Sequence, residues 1–245
     1  VRIAEIWRFP VKSLQGEQVE AGELGAHGLH GDRGWALFDL DTGYGLTARR
    51  VPELLFASAR LTPVGGVEIE LPDGTVTRDD AVLSDWTGRR VALRSTGQPT
   101  RRRFENPDDA EDEGGRWHAW DGAGGAFHDS DDVRVSLIST ASLGSWDRRR
   151  FRANVVLDGA GEDGLVGSRV TLGGAVLDVV RQVSRCVMTT RPQPGGITRD
   201  TSVLRAVHRE HGGTLAVGAL VARPGPIAVG DAVLSPAGAE LHAGG

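Results

Sequence analysis

The sequence predicts a mainly β fold with a few short helices, an α+β chain built as a barrel or sandwich. Three observations predict it. Short apolar runs closed by turn residues recur along the chain, 35 glycines and 11 prolines supply those turns, and helical periodicity is confined to brief segments. At 245 residues the chain can bury a full core and hold one large or two small domains.

Taken in order, Ile3 to Phe9 and Trp35 to Leu40 read as strands, because β-branched, aromatic and aliphatic residues concentrate there. Leu54 to Leu61 and Val67 to Leu71 read likewise. Leu71-Pro72-Asp73-Gly74-Thr75 is a hairpin turn and Asp41-Thr42-Gly43 another. Asp80 is suited to cap a short helix through Trp86 that stops at Gly88. Between Arg101 and Gly125 the pattern lapses, and the acidic stretch Glu105 to Gly115 has no periodic apolar face. It reads as a mobile surface connection and marks a module boundary. The expected organisation is an N-terminal module over 1–115, a second module over 116–236 and a tail over 237–245.

Beyond the boundary, Val133 to Ile138, Asn154 to Leu157, Val170 to Val183, Leu215 to Ala222 and Ile227 to Leu234 resume the strand texture. Pro224-Gly225-Pro226 and Gly230-Asp231 are turns between them. Ser139 or Thr140 can cap a helix through Trp146. Thr201 to His211 carries Val203, Leu204 and Val207 on one side and stops at Gly212-Gly213. No internal repeat is present.

A formal net charge of -5 argues against a general nucleic-acid binder, which normally shows a basic excess. No apolar run approaches the roughly 20 residues of a membrane span, and Val1-Arg2-Ile3-Ala4-Glu5 lacks a signal-peptide pattern. The expectation is a soluble, cytoplasmic protein without nucleic-acid or membrane partners; the missing initial Met leaves room for a trimmed upstream segment. The sole cysteine excludes an internal disulfide and a chain-encoded iron–sulfur cluster, which needs about four protein ligands.

That cysteine, Cys186, follows Arg181 and Arg185 and precedes Arg191. A thiol among guanidinium groups is suited to nucleophilic chemistry or metal ligation, whereas a lone cysteine is also a common inert core residue. The local residues leave both readings open. Of the 28 Lys and Arg residues only Lys12 is lysine, so the chain relies on guanidinium forks, which suit phosphate and carboxylate. By itself Lys12 reads as an exposed loop cation.

Other chemistries meet obstacles. A zinc site of ordinary type needs three or four ligands, and Cys186 has no histidine near it in sequence. His208 and His211 share a helical face without an evident third ligand and read as a solvated face. A cysteine hydrolase remains open, since any of seven histidines can fold toward Cys186. Gly28 to Gly34 lacks the phosphate-loop lysine and the strand-to-helix setting of a dinucleotide fingerprint, and reads as a turn carrying Asp32 and Arg33. The runs Arg101 to Arg103 and Arg148 to Arg150 read as solvated charge.

Several segments, in order, match one pattern. Phe9-Pro10-Val11-Lys12-Ser13, Gly28-Leu29 with Asp32-Arg33-Gly34-Trp35, and Leu46-Thr47-Ala48-Arg49 with Pro52-Glu53-Leu54 resemble the N-terminal β-barrel module found before MOSC domains. Phe151-Arg152-Ala153-Asn154-Val155-Val156, Ser184-Arg185-Cys186 with Thr189-Thr190, and Pro224-Gly225 with Val229 to Val233 resemble the MOSC domain itself. The pattern is most similar to the amidoxime-reducing components and their bacterial counterparts, and it runs from Ile3 to Leu234.

The resemblance implies an N-terminal β-barrel module packed on a MOSC-type β-barrel, and a molybdenum cofactor whose metal is held by a molybdopterin. Cys186 falls on the metal-ligand position and is the expected catalytic residue; soft thiolate suits such a metal. Lys12, Ser13, Arg33, Arg152, Ser184 and Arg185 fall where the family contacts the pterin and its phosphate, and Asn154 is expected to donate to the pterin or brace the loop. Thr47 and Arg49 take supporting structural roles. The implied reaction is two-electron reduction of a small N-hydroxylated or related N-oxygenated substrate. A separate electron-donor protein or reductase is implied, for which the acidic stretch Asp108 to Glu113 is a candidate face. Any pyridoxal phosphate belongs to an upstream sulfur-donor partner, not to this chain. Asp132 is the candidate proton donor, although the pattern has small hydroxyl residues there, and Gly218 stands where relatives often place an aromatic. The alternative is a sulfur carrier or cofactor-binding protein without turnover.

Overall fold

The chain's first strand belongs to the same sheet as most strands of its C-terminal half. The computed structural model describes residues 1–108 and 114–235 and the backbone of 242–243; the acidic residues 109–113 and the rest of the expected tail lie outside the described residues. An eight-stranded sheet runs in the order Val233–Leu234, Arg169–Leu172, Ala175–Ser184, Thr214–Arg223, Val135–Ser139, Val155–Leu157, Ile3–Arg8, Glu17–Val19. Its one parallel pairing sets Val135–Ser139 beside Val155–Leu157. A parallel neighbour requires a crossover, here made by helix α1 (Thr140–Leu143) and the 3₁₀ turn Arg148–Arg150. Ile3, Ile6, Val135, Leu137, Leu177 and Val217 fill the core on one face, and helix α2 (Thr201–His211) packs on a second cluster with Ile138, Phe151 and Leu215.

The N-terminal half adds small sheets around its own core. Trp35–Asp39 pairs with Val91–Ser95, and Ser58–Leu61, Val67–Glu70 and Val76–Thr77 form a meander. Between them stands the short helix Asp80–Thr87, and Leu37, Leu54, Leu55, Ile69 and Leu83 are buried together. The mainly β expectation holds, as do both predicted turns of this half and the C-terminal helix with its stop at Gly212.

Other expectations change for identifiable reasons. Asp79, not Asp80, caps the short helix by accepting from Ala81 N at 2.7 Å; Asp80 turns to Leu93 N at 2.8 Å. Helix α1 stops at Leu143 rather than running to Trp146, with Ser139 as its cap. Leu54 to Leu61 is not one strand: Pro52 opens a 3₁₀ turn over Pro52–Phe56 that buries the adjacent Leu54 and Leu55, which strand alternation cannot do. Val170 to Val183 is a hairpin bent at Gly173, whose φ is 57°. Pro224-Gly225-Pro226 is not a turn, because Gly225 and Pro226 begin an edge strand paired with Ala21–Gly25.

The lapse between Arg101 and Gly125 hides a hairpin. Arg103–Pro107 pairs with Trp117–Asp121, and Phe104 is buried against Phe38 and Phe127. Only one face of so short a hairpin is apolar, so its flanks read as polar connection. The expected boundary at 115/116 falls within the connection of these paired strands. No helix among the described residues is long and apolar enough to cross a membrane.

Candidate functional site

A cleft of about 290 Å³ lies between the two halves of the chain. All eight sequence-derived site residues, Lys12, Ser13, Arg33, Arg152, Asn154, Ser184, Arg185 and Cys186, line it. Three of them carry left-handed backbone: Ser13 at φ 72°, Arg33 at 50° and Arg152 at 54°. Such conformations cost a residue with a side chain on the order of 1 kcal/mol and persist where the surroundings over-determine them. Among the described residues the fourth non-glycine case, Ala216 at 74°, follows Leu215, whose carbonyl accepts from Arg185 Nε at 2.7 Å.

Each cation is positioned by its surroundings. Asp32 is buried, accepts from Phe9 N at 2.7 Å and pairs with Arg33, which fixes the glycine-rich turn as a turn. The Phe9 ring then carries two guanidinium groups, Arg33 at 5.2 Å and Arg152 at 4.4 Å from its centroid. Ser13 Oγ accepts from Ala48 N at 3.1 Å, tying the first loop to the segment that carries Arg49. Lys12 is not an exposed loop cation: it is 5% accessible, donates to Phe127 O at 3.0 Å and to Asp129, and lies 4.7 Å from the Phe104 ring centroid. Burial pulls its ammonium below the ordinary range, and Asp129 opposes that pull.

Among the described residues Asp129 is the one acidic side chain lining the cleft, beside eight Lys or Arg side chains. Its side chain is 82% accessible within the concave wall. The enclosing protein disfavours its charge, yet Lys12, then Arg33 and Arg49, more than offset this and hold the carboxyl well below its usual range. Burial pushes Arg152 down to about 9 and Arg185 to about 10, so both stay charged at neutral pH. Arg152 Nη1 and Arg185 Nη2 are buried without a hydrogen-bond partner. An unpaired buried donor of this kind is costly until an acceptor reaches it.

Cys186 is half-buried at the end of the long strand, and its carbonyl accepts from Thr189 N and Oγ1, each at 3.0 Å. Arg49 Nη2 donates to its Sγ at 3.1 Å, while Arg49 Nη1 donates to Asn106 at 2.5 Å. Sequence reasoning gave Arg49 a structural role and missed this contact across 137 residues. It also missed Asp129 and Trp120, since no spacing pattern links either to the sulfur.

Three further expectations are corrected. Arg150 is not solvated charge but is buried, donating to Thr189 O, Arg191 O and Thr198 O at 2.8–3.3 Å and so holding the cysteine loop. Within the other run, Arg102 donates to the Ala123 and Gly125 carbonyls and packs on Phe127, because these arginines satisfy buried carbonyls at a module junction. Asn154 lines the cleft as a brace: Oδ1 accepts from Ser136 N and Oγ at 3.3 Å, and Nδ2 donates to Trp7 O at 3.2 Å. Asp132 is held below the usual carboxylate range by its hydrogen bond from Arg181 at 2.7 Å, so it stands as an anion rather than a proton donor. His208 faces solvent and His211 is partly exposed, in line with the solvated face expected for them.

Residues 1–117 match the family of the MOSC N-terminal beta barrel domain, and residues 124–234 match the MOSC domain. The chain joins a MOSC N-terminal barrel to a MOSC domain. Among solved structures the MOSC chain is similar to the YuaD protein from Bacillus subtilis, at 11% identity over 95% of this chain and 93% of that one, with a TM-score of 0.48. It is also similar to YiiM from Geobacillus stearothermophilus, at 15% identity over 58% of this chain and 77% of that one, with a TM-score of 0.37. No curated protein matches it.

The residues present fit a molybdenum cofactor. No group of three or more His, Cys, Asp or Glu side chains able to hold a metal occurs among the described residues, so a metal here would arrive with ligands of its own and take one sulfur from the MOSC chain. Unpaired guanidinium donors in the cleft that holds that sulfur suit an anionic organic ligand.

Proposed function

We propose that this MOSC protein binds a molybdenum cofactor in the cleft and reduces small N-hydroxylated or related N-oxygenated compounds. The observation that carries the reading is the half-buried Cys186 sulfur in one cleft with Arg152 and Arg185, each of which has one buried guanidinium nitrogen, Nη1 and Nη2 respectively, without a partner. Cys186 would coordinate the metal. Lys12, Arg33, Arg152 and Arg185 would hold the anionic pterin and its phosphate, with Ser13 and Ser184 at the same wall and Asn154 bracing it. When bound, the cofactor supplies a two-electron redox centre that can take oxygen from nitrogen.

The chain's own residues bind and orient. Guanidinium forks fix an anion in direction as well as in place, and Arg49 fixes the sulfur from the N-terminal half. Reduction of an N–OH group consumes two electrons and two protons and releases water. Asp129 and Asp132 are both carboxylates in the paired state, so neither supplies those protons there. The electrons would come from a separate donor protein.

A half-exposed sulfur in an open cleft also favours a second reading, a sulfur carrier or cofactor-binding protein without turnover. A cysteine hydrolase is less favoured, because the side chain at Sγ is a guanidinium rather than a base and the cleft's His128 is tied to His27 O at 3.0 Å. Elemental analysis of protein made in a host that supplies the cofactor decides between them. Molybdenum in the protein together with turnover of an N-hydroxylated substrate supports the reductase; metal-free protein carrying a labile persulfide on Cys186 supports the carrier.

A further inference from the structure

One wall of the cleft is built around a residue without a side chain. Gly218 lies in the strand Thr214–Arg223, paired with Ser136 on one side and Arg181 on the other. Directly paired residues present their side chains to the same face of a sheet, and Ser136 and Arg181 both line the cleft. A side chain at position 218 would therefore enter the cleft wall. Val133 occupies that place: a Cβ on Gly218 would stand 2.5 Å from Val133 Cγ2 and 2.9 Å from Cγ1.

The residues just before Val133 are fastened to the same sheet. Arg181 Nε donates to Asp132 Oδ2 at 2.7 Å, and Arg181 Nη2 reaches Asp132 Oδ1 and Ser130 Oγ, each at 3.4 Å. The Ser130 hydroxyl donates in turn to Asp132. Ser130, Val133 and Arg181 line the cleft while Asp132 does not, so its carboxylate serves the clamp rather than a ligand.

We propose that residues Ser130 to Val133 form a fixed lip, seated on Gly218 and clamped by Arg181, that sets the cleft's width and admits only compact N-oxygenated substrates. The inference rests on the function proposed above. A cleft of about 290 Å³ is small enough that two methyl groups alter what enters it. Val133→Ala removes the methyls that fill the wall, and Gly218→Ala drives Val133 into the opening.

The test compares the full chain with Val133→Ala and Gly218→Ala in two measurements. In metal-free protein, Cys186 is alkylated with iodoacetamide and with N-pyrenylmaleimide, and the ratio of bulky to small reagent rates is recorded. In molybdenum-loaded protein, kcat/KM is compared for N-methylhydroxylamine and a naphthyl amidoxime. Val133→Ala should raise the bulky-to-small ratio about tenfold in both measurements, and Gly218→Ala should lower it, with molybdenum content unchanged. An unchanged alkylation ratio in Val133→Ala overturns the lip, and this variant decides the matter if Gly218→Ala does not fold. Absence of turnover with every substrate, beside a shifted alkylation ratio, removes the reductase reading and leaves the lip standing.

Discussion

At the scale of single residues, Arg150, Arg152 and Arg185 are held in the cleft by aromatic faces and backbone carbonyls instead of acids, which leaves their charge for a ligand, whereas Lys12 and Arg33 pair with Asp129 and Asp32. Cys186→Ala should abolish molybdenum-dependent turnover while the thermal midpoint stays near that of the parent; bound metal with retained turnover would remove the sulfur from the proposal. Arg152→Ala should weaken cofactor retention by roughly 1.5–3 kcal/mol, read as faster molybdenum loss on dilution. His128 offers a test independent of the ligand. Burial, and then Arg33, push its imidazole from 6.5 down to about 4, against weaker support from Asp32. The unfolded chain binds a proton between those values that the folded chain refuses. Stability is therefore full above the unfolded value and declines as pH falls toward 4, by roughly 3 kcal/mol from this group. Denaturant titrations at neutral pH and at pH ~4.5 should show that loss in the parent and a flatter response in His128→Gln; equal responses would show that His128 is not buried as a neutral ring. Cys186, Lys12 and Arg33 were placed in the cleft by the family motifs they resemble, although Lys12 taken alone reads as an exposed cation. Asp129 was not, because a carboxylate that balances a lysine 117 positions away leaves no local signature.

At the scale of elements, legibility followed the strength of local chemistry. Thr201–His211 was readable from its apolar spacing and its glycine stop, because cap and periodicity agree. The hairpin from Arg103 to Asp121 was hidden, since its burial comes from Phe38 and Phe127, distant in sequence, and not from its own alternation. The cap of the short helix separates two adjacent aspartates by experiment. Asp79→Ala should cost about 1 kcal/mol in urea denaturation through loss of the bond to Ala81 N. No loss in Asp79→Ala would return the capping role to Asp80.

At the scale of the whole molecule, the two halves are joined by exchange of strands. Ile3–Arg8 and Glu17–Val19 complete the sheet of the C-terminal half, and Gly225–Ala228 pairs back onto Ala21–Gly25. A fragment beginning at residue 116 would expose the edge of Val155–Leu157 that Ile3–Arg8 covers. It should aggregate and lack the near-ultraviolet circular dichroism of a packed core, whereas a monomeric, folded fragment would show that the halves are separable. By itself the sequence determined the β class, most turns and two of the three helices among the described residues closely, because each depends on neighbours within a few positions; the motif residues that line the cleft were read from their resemblance to a family pattern. Tertiary structure decided that Lys12 is buried against Asp129, that Arg49 reaches the sulfur, and that Val133 fills the place left by Gly218. Those contacts join side chains brought together only when apolar faces close on one another, and such closure is a property of the packed chain rather than of any segment in it.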